Sequence, residues 1–394
     1  MIGIKDIESV ANAVINDAKG AHEPINYGDF VSCATTVKSM GSNQILPSLS
    51  QVMSKTIFSV RPYTAKFKGL YKDSVKYGNH VRKITFLDTT LEKDGAYFNA
   101  DGSILADGQS VDQYKISKPK VLETNFYDYS KYMKSFTIFK EQYDTAFQSP
   151  ENLQSFMSGV MVNANDQLEQ TRESLARGLV VNGILGTYEN NQVVHLLTEY
   201  NDLTGQSLTK EDIMKSVNYK PFMQWVYARL QNVIDTMSER TTLYHVCPTV
   251  DKVKQNIVRH TPKEKLHAYF LSDFINKSAN MMESNTFNAD YLSKMDSEKV
   301  TYWQTPKFQY DIESGSSYCY MGSDGAITTK TLDKALTNVV GFLFDDEMLG
   351  INLYDQSAET TPLNAKGLYH NIYWHEGARW WVDSTENAIV ICLD

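Results

Sequence analysis

The sequence predicts an α+β fold, on three observations. Four short apolar or aromatic segments, each fenced by Gly, Asp, Asn or Ser, crowd the last sixty or so residues. A long segment after Pro150 places apolar residues at intervals of three and four. Ahead of it, strand-like runs flank three Asp-Gly pairs, a strong turn signal.

From the N-terminus, Ile4, Ile7, Ala11, Val14, Ile15 and Ala18 form one stripe, which predicts a short amphipathic helix over residues 1–20. Residues 21–50 lose the pattern and gain Gly, Ser and Pro, and read as an extended arm. Residues 55–83 hold eight basic side chains, including Lys66, Lys68, Lys72, Arg82 and Lys83, against Asp73 alone. Residues 84–113 hold six acids, including Glu92, Asp94, Asp101 and Asp107, against Lys93 alone. With strand-like runs from Val81 to Leu87 and from Tyr114 to Phe139, this predicts a long β-hairpin with a floppy acidic tip. A two-stranded ribbon cannot bury itself in water. The expected role of those nine charged residues is a contact between copies, basic base against acidic tip.

Ser149 as cap and Pro150 at the first helical position start a helix carrying Leu153, Phe156, Met157, Val160, Met161, Ala164, Leu168, Leu175 and Leu179. From Glu151 to Val181 it is about 45 Å long, ends near Gly183, and presents Asn163, Asn165, Gln167, Gln170 and Arg172 outward. Residues 184–208 read as loop. Thr209 with Asp212 caps a short helix, and Pro221 opens another with Phe222, Trp225, Val226, Leu230, Val233, Ile234 and Met237 on one stripe. A strand over Thr242–Cys247, a helix near Asp251–Val258, and strands at Val300–Trp303 and Phe308–Tyr310 follow. The closing strands are Val339–Phe344, Ile351–Tyr354, Gly367–Trp374 and Asn387–Leu393, and they read as closing one sheet.

With 394 residues, 42% hydrophobic and 22% charged, the chain has the means for two or three domains, or one with insertions. Its 24 Tyr, 17 Phe and 5 Trp suit strands or surfaces covered on association. A net charge of −9 argues against nucleic-acid backbone binding as the main task. Met1 to Gly20 has no signal-peptide pattern, and no apolar run is long enough to cross a membrane. Cys33, Cys247, Cys319 and Cys392 lack metal or redox spacing and read as reduced thiols, mostly buried.

No phosphate-binding glycine loop or nucleophile elbow occurs. His375-Glu376 begins like a zinc-protease motif, but Arg379 stands where the second His belongs. Cys247 with a nearby His, the Asp345-Asp346-Glu347 cluster and a faint calcium-loop pattern at Asn99–Gly102 are the other candidates; a buried thiol and a solvated turn or helix cap are the simpler readings of the first two, and the third lacks the full ligand spacing and the closing Glu. No catalytic, cofactor or metal residue is expected.

The order of parts resembles the major capsid proteins of tailed bacteriophages, whose fold is named after the Hong Kong 97 phage, and most of all those of small short-tailed phi-29-like phages. The residues carrying the likeness are Asn364 to Trp374, Ser384 to Ile391, Lys66 to Gly69 and the aromatic Phe126–Phe139 run. The resemblance implies a fold with N-terminal arm, extended β-hairpin loop, long spine helix in a peripheral domain, and inserted axial domain. It places the arm at 1–50, the peripheral domain at 51–204 and 336–394 with its spine helix at 150–182, the extended loop at 78–135 and the axial domain at 205–335. It implies a subunit that self-assembles into the icosahedral phage head. The expected partners are many copies of itself, a separate scaffolding protein, a portal, and double-stranded DNA enclosed without specific recognition, with assembly in the host cytoplasm and no membrane. An encapsulin-like compartment shell is the alternative within the fold. A hydrolytic enzyme binding carbohydrate through Tyr369, Tyr373, Trp374, Trp380 and Trp381 is the alternative from another class.

Overall fold

The computed structural model describes residues 67–72, 80–87, 93–99, 101–109, 114, 116, 118, 120–142, 150–250, 252–283 and 298–394, with backbone alone at 68, 150–166, 216 and 278–283. The expected N-terminal helix and arm, Lys66, Glu92 and the Ser149 cap lie outside the described residues.

The strands in chain order are β1 (Tyr71–Lys72), β2 (Val81–Leu87), β3 (Lys120–Phe126), β4 (Tyr129–Phe139), β5 (Val193–His195), β6 (Thr249–Val250), β7 (Val253–Lys254) and β8 (Leu266–Leu271). They continue with β9 (Glu298–Val300), β10 (Ser317–Met321), β11 (Ile327–Thr331), β12 (Val339–Asp345), β13 (Leu349–Thr360), β14 (Tyr369–Val382) and β15 (Ala388–Cys392). The helices are α1 (Pro150–Glu189), α2 (Leu196–Thr204), α3 (Lys210–Ile213), α4 (Ser216–Ser238) and α5 (Ser272–Glu283).

The chain divides into two units. The first draws on 1–79, 128–178 and 350–380, the second on 80–127, 179–349 and 381–394. In the first, a four-stranded sheet has the order β1-β13-β14-β4. β4 and β14 run antiparallel with Tyr132 opposite Glu376 and Phe136 opposite Ile372. Their period-two alternation buries Ile138, Ile372, Trp374 and Ala378 on one face and leaves Tyr129, Met133 and Phe139 exposed on the other.

The second unit holds a five-stranded sheet ordered β5-β15-β12-β8-β9. All residues of β12 and β15 are buried. Such unbroken apolar strands require cover on both faces. The α4 stripe supplies further core, with Phe222, Val226, Leu230, Val233 and Met237 buried. Thr209 and Asp212 form the expected capping box on α3.

Several expectations need correction. The four closing segments serve two sheets: β12 and β15, buried throughout, lie in the five-stranded one, while β13 and β14, buried in part, lie in the other. The run from Tyr114 to Phe139 is two strands. β3 pairs with β2 and β4 with β14, each along its backbone edge. α1 passes Gly183 and continues to Glu189, through residues expected to be loop. Gly183 and Gly186 serve close packing: a Cβ would come within 3.1 Å of Leu349 at the first and 3.0 Å of Tyr320 at the second. The helix is closed off instead by Asn191, two residues past Glu189, with φ 57° and the Gln192 N–H returning to the Thr187 carbonyl. β5 and α2 occupy the rest of that expected loop.

α4 begins at Ser216, ahead of Pro221, because the Lys215 carbonyl already accepts from the Asn218 and Tyr219 amides. Thr242–Cys247 is not a strand. It runs irregularly beside the 384–388 segment, which receives the Val246 amide and donates to Tyr244. The helix expected near Asp251–Val258 is replaced by the β6–β7 hairpin around Lys252 at φ 64°, since Val250 and Val253 have no core to face and stay exposed. Phe308–Tyr310 is a turn, and the expected strand at Val300–Trp303 is confined to β9.

Candidate functional site

In the β2–β3 hairpin, Lys83 stands opposite Thr124, Thr85 opposite Leu122 and Phe86 opposite Val121. The alternation divides it into two faces. Thr85 and Phe126 are buried and Lys83 is half-buried on one. The other presents Ile84, Phe86 and Val121 to solvent, with Phe86 74% exposed. Arg82 and Glu123 pair across this outer face at 2.7 Å. Both are exposed, so the pair contributes little.

The tip carries structure where a floppy loop was expected. Its aspartates fold onto the backbone: Asp94 Oδ1 accepts from the Ala96 amide at 2.9 Å, and Asp101 Oδ1 from the Ser103 amide at 2.9 Å and its hydroxyl at 2.7 Å. Lys93 donates to the Gly102 carbonyl at 3.1 Å and lies over the Phe98 ring. Tyr97 and Ile104 remain exposed. Hydrogen bonds from Ser103 hold the Asp101 carboxyl below its usual range.

At the root of the hairpin, Lys83 Nζ contacts three carboxylates: Asp383 at 2.9 Å, Glu347 at 3.2 Å, and Glu386. Arg259 reaches Glu386 at 2.9 Å, Thr385 O at 3.1 Å and Thr85 Oγ1 at 3.3 Å. Burial opposes the charge on Lys83, but the Asp383 and Glu386 carboxylates outweigh it and hold the ammonium above its ordinary pKa. Burial pushes Glu386 up to about 7 despite both cations. Trp381 packs near Phe126 and donates to the Glu347 carbonyl.

The remaining sequence candidates resolve into structural contacts. Cys247 is buried and donates to the Ile257 carbonyl at 3.5 Å, while both nitrogens of His245 are engaged, by Asn387 and Ile257. Burial lowers the His245 pKa. Asp345 accepts from Thr261 at 2.7 Å, Asp346 lies 2.9 Å from His267 and Glu347 belongs to the Lys83 cluster, so the acidic triplet is not simply solvated. His375 and Glu376 point to opposite faces of β14, and Glu376 is bound by Arg172. Among the described residues, no group of three or more His, Cys, Asp or Glu is placed to hold a metal ion. No described helix is long and apolar enough to cross a membrane.

In the first unit the exposed sheet face carries Arg379 4.2 Å above the Tyr354 ring centroid and Lys131 5.7 Å from it. Gly377 permits this stack, since a Cβ there would meet the Tyr354 ring at 2.8 Å. Trp374 packs against Phe136, and Tyr369 against Phe139.

Of the nine charged residues named from sequence, Lys68 and Lys72 lie in or beside β1, Arg82 and Lys83 on β2, and Asp94, Asp101 and Asp107 at the tip. Only Arg82 and Lys83 share an element, and Lys83 turns to its own chain. Sequence reading missed Arg259, Asp383 and Glu386, and the outer apolar trio, and it named Glu347 only as part of the acidic triplet. The alternation Arg82, Ile84, Phe86 was a signal for the trio; nothing local pairs residue 83 with residues about three hundred positions away.

The family described as Phi29-like phage major capsid protein matches residues 9–392. Among solved structures, the chain is similar to one in the capsid structure of Staphylococcus phage Andhra, with a TM-score of 0.52 and 12% identity, covering 83% of this chain and 84% of that one. It is similar to the same degree (TM-score 0.52, 12% identity, 84% of each chain) to one from the structure of head fiber and inner core protein gp22 of native bacteriophage P68. At this identity the likeness concerns the fold. No curated protein sequence matches.

Proposed function

Because the chain belongs to the Phi29-like phage major capsid proteins, and so is a structural subunit of the phage head shell, we propose how its parts serve assembly. The β2–β3 hairpin is the extended loop, and it covers part of the next subunit. The observation that carries this reading is the exposed outer face of Ile84, Phe86 and Val121, a surface a monomer has no reason to leave wet. Lys66, Lys68, Lys72 and Arg82 meet Glu92, Asp94, Asp101 and Asp107 of a neighbouring copy. Such exposed charges set register more than affinity. Lys83 serves the same interface from behind, by fixing the root of the hairpin.

In this reading 51–204 and 336–394 make the peripheral domain with its spine helix, 78–135 the extended loop, 205–335 the axial domain and 1–50 an arm. The fold is then that of the Hong Kong 97-type shell. A separate scaffolding protein and a portal direct closure in the host cytoplasm, and the shell encloses double-stranded DNA without reading it. The negative net charge supports a container that releases its contents. No catalytic role belongs to this proposal. Electron microscopy of the expressed protein, with and without its scaffolding protein, tests it: closed or curved shells are expected, and strictly monomeric particles at high concentration in both preparations refute it.

A further inference from the structure

An aspartate followed by glycine can rearrange without a catalyst. The glycine amide nitrogen attacks Cγ of the aspartate carboxyl, since no Cβ on the glycine hinders the approach. The reaction needs a carboxyl able to take up a proton and an amide not held elsewhere. A hydrogen bond on either group must be broken first. The chain contains four Asp-Gly pairs, beginning at Asp94, Asp101, Asp107 and Asp324. At Asp94 the carboxyl accepts from the Ala96 amide at 2.9 Å. At Asp101 it accepts from the Ser103 amide and hydroxyl, which favours the ionised form, and the Gly102 amide donates to the Asn99 carbonyl at 2.9 Å. At Asp324 the carboxyl accepts from the Ala326 amide at 3.0 Å, and the Gly325 amide donates to the Gly322 carbonyl at 3.0 Å. The one Asn-Gly pair, Asn182-Gly183, lies inside α1; Asn182 Oδ1 accepts from the Cys319 amide at 2.7 Å, and the helix ladder engages the Gly183 amide.

Asp107-Gly108 differs from all of these. Both residues are exposed, and neither the Asp107 carboxyl nor the Gly108 amide has a hydrogen-bond partner among the described residues. The turn closes around them through the Gln109 amide, which donates to the Ala106 carbonyl at 3.1 Å. Gly108 stands at φ 82°, with nothing within 4 Å of where a Cβ would lie.

We propose that Asp107 is a self-modification site, where the hairpin tip converts to isoaspartate while the fold protects the other Asp-Gly pairs. In the first step the N–Cγ bond forms, the Cγ–OH bond of the protonated carboxyl breaks, and water leaves a cyclic imide behind. In the second step water adds back. Addition at Cγ restores aspartate. Addition at the former backbone carbonyl leaves the chain running through Cγ, with that carbonyl as the new carboxylate. The water lost is the water regained, and nothing is oxidised or reduced. The main chain gains a methylene and the carboxylate changes place at unchanged net charge. In the assembly reading above this carboxylate meets a neighbouring copy, but the chemistry stands whether or not that reading holds.

Prolonged incubation of the full-length protein in near-neutral buffer tests it, with proteolysis and mass spectrometry whose fragmentation separates isoaspartate from aspartate. Isoaspartate at 107 is expected to accumulate about tenfold faster than at 94, 101 or 324, the worth of about one hydrogen bond. In the same protein unfolded in urea the four sites are expected to converge, because those bonds are gone. A native rate at any of the other three sites that matches the rate at 107 overturns the proposal. So does a lead at 107 that persists undiminished in urea, since the ranking then owes nothing to the fold. Native protein that forms no isoaspartate at 107, over a time in which the unfolded chain converts, overturns it too.

Discussion

Arg172 and Glu376 meet through a two-pronged pair, Nε to Oε1 at 2.8 Å and Nη2 to Oε2, with both side chains buried in the first unit. Arg172 sits on the helical face expected to be outward, yet it is the residue that joins α1 to β14. The Tyr71 hydroxyl donates to the Arg172 carbonyl at 2.9 Å, and the Tyr132 hydroxyl to Glu376 Oε1 at 3.3 Å, so β1 and β4 share the arrangement.

Removing one partner strands a buried charge. Glu376→Ala is expected to destabilise the subunit by about 3–5 kcal/mol in chemical denaturation, and Arg172→Met by a similar amount. The double change Arg172→Met with Glu376→Leu is expected to recover most of the loss, because no orphan charge remains. Equal loss in the double variant and the single ones contradicts this.

Two glycines separate packing from backbone freedom. At Gly341, in β12, a Cβ would lie 2.5 Å from the Phe270 ring, and Gly341→Ala is expected to cost about 1–3 kcal/mol. At Gly178, in α1, nothing lies within 4 Å, and Gly178→Ala is expected to add about 0.5–1 kcal/mol. Thermal melts of the two variants check both signs.

Phe86 has little to lose in the free subunit. Phe86→Ser is expected to change subunit stability by less than about 0.5 kcal/mol while reducing the yield of shells. Deletion of residues 92–110 is expected to act likewise, sparing folding and impairing assembly. Sedimentation of each variant under assembly conditions, beside its denaturation curve, measures the two effects separately. Normal shells from both variants sink the reading of the hairpin as a reaching arm.

Thiol chemistry reports burial. Cys392 is buried and its pKa is pushed up to about 12, chiefly by burial, and Cys247 is also buried. Cys319 is half-exposed on the β10 strand. Alkylation of native protein followed by mass spectrometry is expected to modify Cys319 well before Cys247 and Cys392.

Periodicity made much of the fold legible. Pro150 marks the start of α1, Thr209 and Asp212 form the cap they suggest, and the α4 stripe is core. The misses share a cause: a local signal overridden by a distant neighbour. Gly183 resembles a helix end until Leu349 and Phe342 show why it must be small. The β-favouring residues of Thr242–Cys247 suggest a strand, yet the segment bends to let His245 meet Asn387. β8, at Leu266–Leu271, escapes the sequence reading although its apolar run follows Lys263, Glu264 and Lys265, and it lies between β12 and β9. At the candidate site the charges are visible in the sequence and their partners are not. Lys83 reads as one of eight basic residues, and only the fold shows Asp383 and Glu386 beside it.

The central claim is that the hairpin's outer face is covered by another copy. A cryo-electron microscopy reconstruction of the assembled shell measures this directly. Ile84, Phe86 and Val121 are expected to lie buried against a neighbouring subunit, with Lys83 still bound within its own chain. A shell in which those three side chains remain in solvent, or fold back onto their own subunit, contradicts it.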